Sequence, residues 1–165
     1  MFFLETERLR LRNWKETDID ELVCYRNDER CTQYQRGQLH LRSDLAALIQ
    51  RRMQDKFLPE GRKQLAIARK DTDDLVGEMT IFIENRTITM GYTISAKYHR
   101  RGYAYEMLSA VTELLHETYP GWEFLCFTEP ENVASMNLLQ KLGYEHLGYH
   151  ADENAEMFGK WTNRR

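Results

Sequence analysis

The sequence predicts a mixed α/β fold in one domain spanning residues 1–165, with elements in the order β-α-α-β-β-β-α-β-α-β-β. Three observations predict it. Ile88, Met90, Tyr92 and Ile94 alternate with Thr87, Thr89, Gly91, Thr93 and Ser95, the period-two pattern of a half-buried strand. Ala104, Met107, Leu108, Val111, Leu114 and Leu115 then recur at helical spacing and share one face. Residues 122–128 form a nearly continuous apolar run, which predicts a central strand buried on both faces.

The other elements follow in order. Leu9 and Leu11 alternate with Arg8, Arg10 and Arg12, a first strand ending near Trp14. Thr17 and Asp20 resemble a capping box, opening a helix from about Asp18 to Asn27 that turns Ile19, Leu22 and Val23 inward. Residues 28–42 are polar without a clear period, and Gly37 reads as a breaker. Leu45, Leu48, Ile49, Met53 and Phe57 predict a second helix, with Ser43 as N-cap and Pro59 and Gly61 closing it.

A strand over Gln64–Arg69 is followed by the turn cluster 71–74. Leu75–Glu84 and Thr87–Ser95 form a hairpin about Asn85-Arg86. The long helix stops at Pro120-Gly121. After the apolar run, a short helix begins near Asn132 and ends at Gly143, a suitable C′ residue. Tyr144–His150 and Glu156–Trp161 pair as a last hairpin across 152–154.

A chain of 165 residues can bury a sizeable core. Its net charge of −3 argues against a general nucleic-acid binder. No apolar run approaches membrane-spanning length, and the opening Met-Phe-Phe-Leu is too short for a signal peptide. Cys24, Cys31 and Cys126 contain no C-x-x-C pair, which predicts reduced thiols in a cytoplasmic protein. His146 and His150 are separated by Gly148, against a helix that would align them on a metal, and no metal is expected. Trp14, Tyr25 and Tyr34 read as core, with the alternative that they wall a pocket between the first two helices and the sheet. The acidic runs about Glu16, Asp28 and Glu129 would suit a cationic partner or form a solvated surface.

The chemistry concentrates in Tyr98-His99-Arg100-Arg101-Gly102-Tyr103-Ala104, between strand and helix. A helix opening straight out of a strand aims free backbone N–H groups and the positive helix end at one spot, and such a spot binds phosphate-type anions. Gly102 admits a positive φ and lets a phosphate approach the backbone. Arg100 and Arg101 add charge. The residues alone also allow a plain turn with solvated arginines. The absence of a Lys-Ser/Thr after Gly102 argues against a nucleotide P-loop.

Three features in order carry a family resemblance: Gly91-Tyr-Thr-Ile94, His99-Arg-Arg-Gly-Tyr-Ala104, and Glu129-Pro-Glu-Asn-Val-Ala-Ser135 leading to Leu139-Gln-Lys-Leu-Gly-Tyr144. Together they resemble the GNAT superfamily of acyl-CoA-dependent N-acetyltransferases. The subgroup resembled is that of the ribosomal-protein N-terminal (RimJ/RimL-like) enzymes, whose opening Thr6–Arg12 also resembles. Two positions depart from the family pattern. His99 stands where the loop usually begins with Gln or Arg, and Thr89 stands where a glutamate often precedes the Gly-Tyr pair.

The resemblance implies a mostly antiparallel central sheet flanked by helices. It implies that acetyl-CoA, as cosubstrate, lies between the strand about Tyr92 and strand 122–128, which splay apart in the family. The diphosphate would sit on His99, Arg100, Arg101, Gly102, Tyr103 and Ala104, and the pantetheine arm would bond to Thr93 and Ile94. The Tyr92 region would supply an oxyanion N–H. Asn132 would contact the cofactor, and Ser135 would sit by the thiol as its proton donor. The partner implied is an amine acceptor, with no nucleic acid or membrane, and a homodimer is the family's expectation. The alternative is a non-catalytic acyl-CoA-binding or regulatory module, motivated by Thr89.

Acyl transfer needs a neutral amine. A lysine amine of pKa about 10.4 is neutral in roughly one molecule in 2,500 at pH 7, a deficit of about 4.6 kcal/mol. An α-amino group near 7.8 loses only about 1 kcal/mol. Glu78, on the strand before the cofactor strand, is the candidate base, against the alternative of a solvated glutamate on the open sheet face.

Overall fold

The computed structural model describes residues 2–57 and 60–161. Eight strands form one sheet: β1 (Phe2–Glu5), β2 (Leu9–Arg12), β3 (Gly61–Arg69), β4 (Leu75–Glu84), β5 (Thr87–Ile94), β6 (Glu123–Thr128), β7 (Glu145–His150) and β8 (Ala155–Trp161). Their spatial order is β1-β2-β3-β4-β5-β6-β8-β7. Only β5 and β6 run parallel; every other neighbouring pair is antiparallel. The parallel pair needs a long crossover, and α4 (Tyr103–Thr118) supplies it. The remaining helices are α1 (Ile19–Arg26), α2 (Glu29–Thr32), α3 (Arg42–Arg52) and α5 (Val133–Lys141).

The pleat divides the core in two. One sheet face sends Leu65, Ile67, Met79, Ile81, Ile88 and Phe124 into the main core. The stripe Met107, Leu108, Val111 and Leu115 of α4 covers it. The other face carries Ala66 and Leu75, under Trp14, Leu22, Tyr25, Leu45 and Ile49 from the β2–α1 connection, α1 and α3. Trp14 and Tyr25 are core as expected, but Tyr34 is half-buried and lines a cleft.

Several expectations are corrected. An edge strand, β1, precedes the expected first strand, and a single-turn helix, α2, sits in the aperiodic stretch 28–42. Ser43 is not a cap: the chain turns helical earlier, at Leu41, whose carbonyl accepts from Leu45 N–H at 3.0 Å. The α3 helix ends at Arg52, and Gly61 opens β3 instead of closing that helix. Pro59 lies outside the described residues. The Thr17/Asp20 box is replaced by Asp18, whose carboxylate accepts from Lys15 N–H at 2.8 Å and from both Arg12 Nη atoms at 2.9 Å.

Strand β6 is not buried on both faces. Phe124, Cys126 and Thr128 are buried, whereas Leu125 and Phe127 on the other face are not, because α1 and α3 stop short of them. The Asn85-Arg86 hairpin stands, both residues at positive φ, 51° and 63°. Gly143 takes φ 90° in a Schellman cap, with Tyr144 N–H on Leu139 O at 2.9 Å and Gly143 N–H on Gln140 O at 3.0 Å. No helix among the described residues is long and apolar enough to cross a membrane.

Candidate active site

The strand-to-helix loop takes its form from two left-handed residues. Arg100 and Gly102 hold φ of 62° and 76°. The first helical bond runs from Glu106 N–H to Gly102 O at 3.0 Å, so the amides of Gly102, Tyr103, Ala104 and Tyr105 have no helical acceptor. Glu106 locks this helix start to the β1–β2 turn. Its carboxylate accepts from Thr6 Oγ1 at 2.5 Å, Arg8 N at 2.9 Å and Arg8 Nε at 2.7 Å. The Arg8 guanidinium lies over the Tyr103 ring, 4.6 Å from its centre. Arg8 thus does more than its place in the strand alternation implies, and the acidic Glu106 in the first helical turn is the sequence signal for that role.

A cleft opens because β5 and β6 part company. Their pairing covers only Thr87–Thr89 against Glu123–Leu125. Beyond that, β6 keeps β8 as partner and β5 keeps β4. Even-numbered β5 residues aim their backbone groups into the gap. Met90 O accepts from the Cys126 thiol at 3.5 Å, and Tyr92 O accepts from Gln35 Nε2 at 3.3 Å. Ile94 O accepts from His99 Nε2 at 2.7 Å and Cys31 Sγ at 3.5 Å. The Tyr92 and Ile94 amides face the same gap with no strand beyond them. Thr93 is turned the other way, its carbonyl packed against Gly77, where a Cβ would come within 2.1 Å of it. Its backbone is therefore unavailable to a cleft ligand, which corrects the expectation of a pantetheine bond to Thr93.

The gap is a cavity of about 1050 Å³. Tyr92, Thr93, Ile94, His99–Ala104, Asn132 and Ser135 all line it. The donor set fits an extended thioester cofactor with a diphosphate: a doubly basic loop with free amides at one end and an open strand edge along the side. Asn132 caps α5, its Oδ1 accepting from Ser135 N at 3.2 Å, which fixes the first turn of that helix. Tyr92 Oη donates to Ser135 Oγ at 3.4 Å across the cleft. Burial raises the Tyr92 hydroxyl above its ordinary pKa, so it stays protonated at neutral pH. Burial likewise pushes the Cys126 thiol up to about 11.

Glu78 is neither a solvated residue nor a wall of the cleft. It is buried, and both its oxygens are held by Arg26, Nε at 2.8 Å and Nη2 at 2.9 Å. It lines neither of the two cavities described here. Glu78 is buried outside both cavities with its charge compensated by Arg26, so the geometry gives no support to Glu78 as the base. His146 lies 3.4 Å from Glu156 and stacks on Phe158. No group of three or more metal-binding side chains occurs among the described residues.

A second cavity, of about 490 Å³, lies on the opposite sheet face, walled by Arg26, Arg62, Gln64, Thr80, Phe82 and Thr89 among others. The two cavities share Gln35, Arg36, Met90, Gly91 and Phe127, so they meet where β5 leaves β6. Residues 33–38, aperiodic in sequence, cross this junction. Gln35 reaches β5, while Arg36 pairs with Glu129 and donates to Glu153 O and Asn154 O, both at 2.7 Å.

A family model described as an acetyltransferase (GNAT) domain matches residues 8–145. The chain belongs to the GNAT acetyltransferases. Among curated proteins, this GNAT chain is 26% identical over 152 residues to an uncharacterised N-acetyltransferase, p20, of Bacillus licheniformis, covering 90% of this chain and 85% of that one. Among solved structures it superposes on a GNAT-family acetyltransferase from Bacillus anthracis with a TM-score of 0.79, at 21% identity over 96% of each chain. It also superposes on RimL, a ribosomal alpha-N-protein acetyltransferase in complex with coenzyme A, with a TM-score of 0.79 at 13% identity over 99% of each chain. These likenesses support the mixed, mostly antiparallel sheet as the GNAT fold, and membership makes the protein an acetyltransferase.

Proposed function

We propose that this enzyme moves an acetyl group from acetyl-CoA to a primary amine by direct attack in a ternary complex. The observation that carries the reading is the end of β5–β6 pairing at Thr89 and Leu125, which opens a cleft running from the basic loop to the Tyr92–Ser135 pair. In this reading Arg100, Arg101 and the amides of Gly102–Tyr105 hold the diphosphate. The Ile94 amide bonds the pantetheine arm, and the Tyr92 amide faces the carbonyl oxygen as charge builds on it. Asn132 keeps Ser135 beside the sulfur. The amine nitrogen forms the new C–N bond as the C–S bond breaks; Ser135 protonates the departing thiolate and regains its proton from solvent, which takes up the amine's extra proton.

This reading takes residues 1–165 as one acetyl-transfer domain. Support for coenzyme A comes from the donor set of the cleft and from RimL, whose structure was solved with it. Calorimetry with acetyl-CoA, followed by amine-dependent release of free thiol, tests the proposal. Saturable binding with amine-dependent turnover is the expected result. Binding without turnover on any amine would leave the non-catalytic alternative, and no binding would overturn both.

A further inference from the structure

The second cavity has a charge character that bears on what enters it. Its wall contains Arg26, Arg36 and Arg62, with Gln35, Gln38, Gln64, Thr80 and Thr89, and no carboxylate or histidine among the described residues. Two of the arginines are compensated from behind: Arg26 by buried Glu78, and Arg36 by Glu129. Arg62 is exposed and makes no ion pair among the described residues. It stands on β3 opposite Phe82, on the sheet face that floors the cavity. In the same wall, Gln38 Oε1 is buried and accepts no hydrogen bond. That acceptor is unpaired within the wall of a cavity whose charged groups are all donors.

Each acidic run that suggested a cationic partner has one carboxylate already paired with an arginine, and none of the runs lines this cavity. Asp18 is taken by Arg12, Asp28 by Arg30 and Glu129 by Arg36. A polyamine or a lysine side chain entering this cavity would meet guanidinium groups and no carboxylate to receive its charge. We propose that the cavity is the acceptor site and that its acceptor is an amine carrying an anionic group, with the anion against Arg62. The inference rests on the acetyl-transfer reading, since the cavity joins the cofactor cleft at Gly91 and Phe127.

The same charge pattern bears on how the nucleophile is made. The wall offers no base to remove a proton. Positive charge beside an ammonium disfavours its protonated form. An α-amine, near pKa 7.8, then reaches its neutral state without a protein base, whereas a lysine amine does not. Amino acids with acidic side chains and acidic amino-terminal peptides share this chemistry.

The experiment compares four probes at one ionic strength in a thiol-release assay: free glutamate, a Ser-Asp-Asp-Asp peptide, a Ser-Lys-Lys-Lys peptide and spermidine. We expect kcat/KM for glutamate or the acidic peptide to exceed that of both cationic probes by about tenfold or more, and which of the two leads separates a small-molecule acceptor from a peptide one. Arg62→Gln, an exposed change that leaves the core intact, is expected to narrow the acidic-to-basic ratio to within about threefold, mainly through KM. Equal or better turnover of spermidine or the basic peptide, or an unaltered ratio in Arg62→Gln, would overturn the inference while leaving acetyl transfer standing. No thiol release with any probe would instead sink the acetyl-transfer reading, and this inference with it.

Discussion

Arg26 and Glu78 form a bidentate ion pair across 52 residues of sequence, with side chains only 3% and 6% exposed. The pair ties α1 to β4 beneath the second cavity, and Arg26 Nη1 extends the link to Leu39 O at 2.8 Å. Removing one partner of such a pair leaves a buried, uncompensated charge, at a cost of about 3–5 kcal/mol. Glu78→Gln is therefore expected to lower the urea midpoint strongly. The double variant Arg26→Met/Glu78→Leu should recover most of that loss. Because Glu78 lines neither cavity, Glu78→Gln protein that remains folded should keep kcat within about fivefold. A loss of about a hundredfold in kcat at unchanged stability would restore Glu78 as the base.

Gly102 sits at φ 76° at the start of α4, with ordinary contact distance to Arg8. The constraint there is conformational, not one of space. A β-branched residue in the left-handed region costs on the order of 1–3 kcal/mol or moves the loop. Either outcome displaces the amides that the reading assigns to the diphosphate. Gly102→Val is expected to weaken acetyl-CoA binding by about tenfold or more in calorimetry. Unchanged affinity would count against the loop as the phosphate site.

Tyr92 and Ser135 touch through one hydroxyl–hydroxyl bond across the cleft. If Tyr92 orients the Ser135 proton toward the leaving sulfur, its effect passes entirely through Ser135. Ser135→Ala should then lower kcat by about a hundredfold, and Tyr92→Phe by about tenfold. The double variant should be no worse than Ser135→Ala alone. Additive losses would show that the two act separately. Since burial holds the Tyr92 hydroxyl above its usual range, no break in the kcat profile between pH 6 and 9 should belong to it.

The sheet and the basic strand-to-helix loop were legible because period-two strands, a helix-opening glycine loop and a glycine C-cap leave local marks, as at 87–94, 99–104 and 139–144. The strap at 33–38 left none. Its shape comes from bonds to partners remote in sequence, such as Gln35 to Tyr92 O and Arg36 to Glu129. Glu78 misled for a related reason: its alternation places it correctly on a sheet face, but only tertiary packing puts Arg26 over it. Thr93 failed on backbone polarity, since side-chain alternation does not say which neighbouring strand an amide faces.

His116 provides a pH test of folding. Its ring meets Phe124 edge-on, with centres 4.4 Å apart, and its Nε2 is buried without a partner. Burial, with a smaller contribution from the charge on Lys160, depresses its pKa to about 4. The folded state thus binds this proton less well than the unfolded chain, whose histidine titrates near 6.5. Stability is fully present above about pH 6.5 and falls as pH drops toward 4. After discounting for partial exposure, the loss between pH 7 and 5 should be about 1 kcal/mol. Asp73 and Glu106, whose pKa values are lowered, stay ionised over that window. Urea titrations should show the fall in the native protein and its absence in His116→Leu.

Gly91 separates the demands of fold and catalysis most cleanly. It lies on β5 where the two cavities meet, and a Cβ built there encounters nothing within 4 Å. Its φ is not in the left-handed region, so a β-branched residue suits the strand and reduces the freedom of the unfolded chain. Such a change stabilises by about 0.4–1 kcal/mol where no strain is introduced. The same side chain would stand where the two cavities meet, the passage that the proposed reading gives to the acceptor amine. Gly91→Val is therefore expected to raise the melting temperature slightly and leave calorimetric acetyl-CoA binding within about threefold. Amine-dependent thiol release should fall by about a hundredfold or more, because a 1 Å displacement of reacting atoms already carries a cost of that order. Full turnover in a stable Gly91→Val protein would show that acceptor and thioester meet elsewhere.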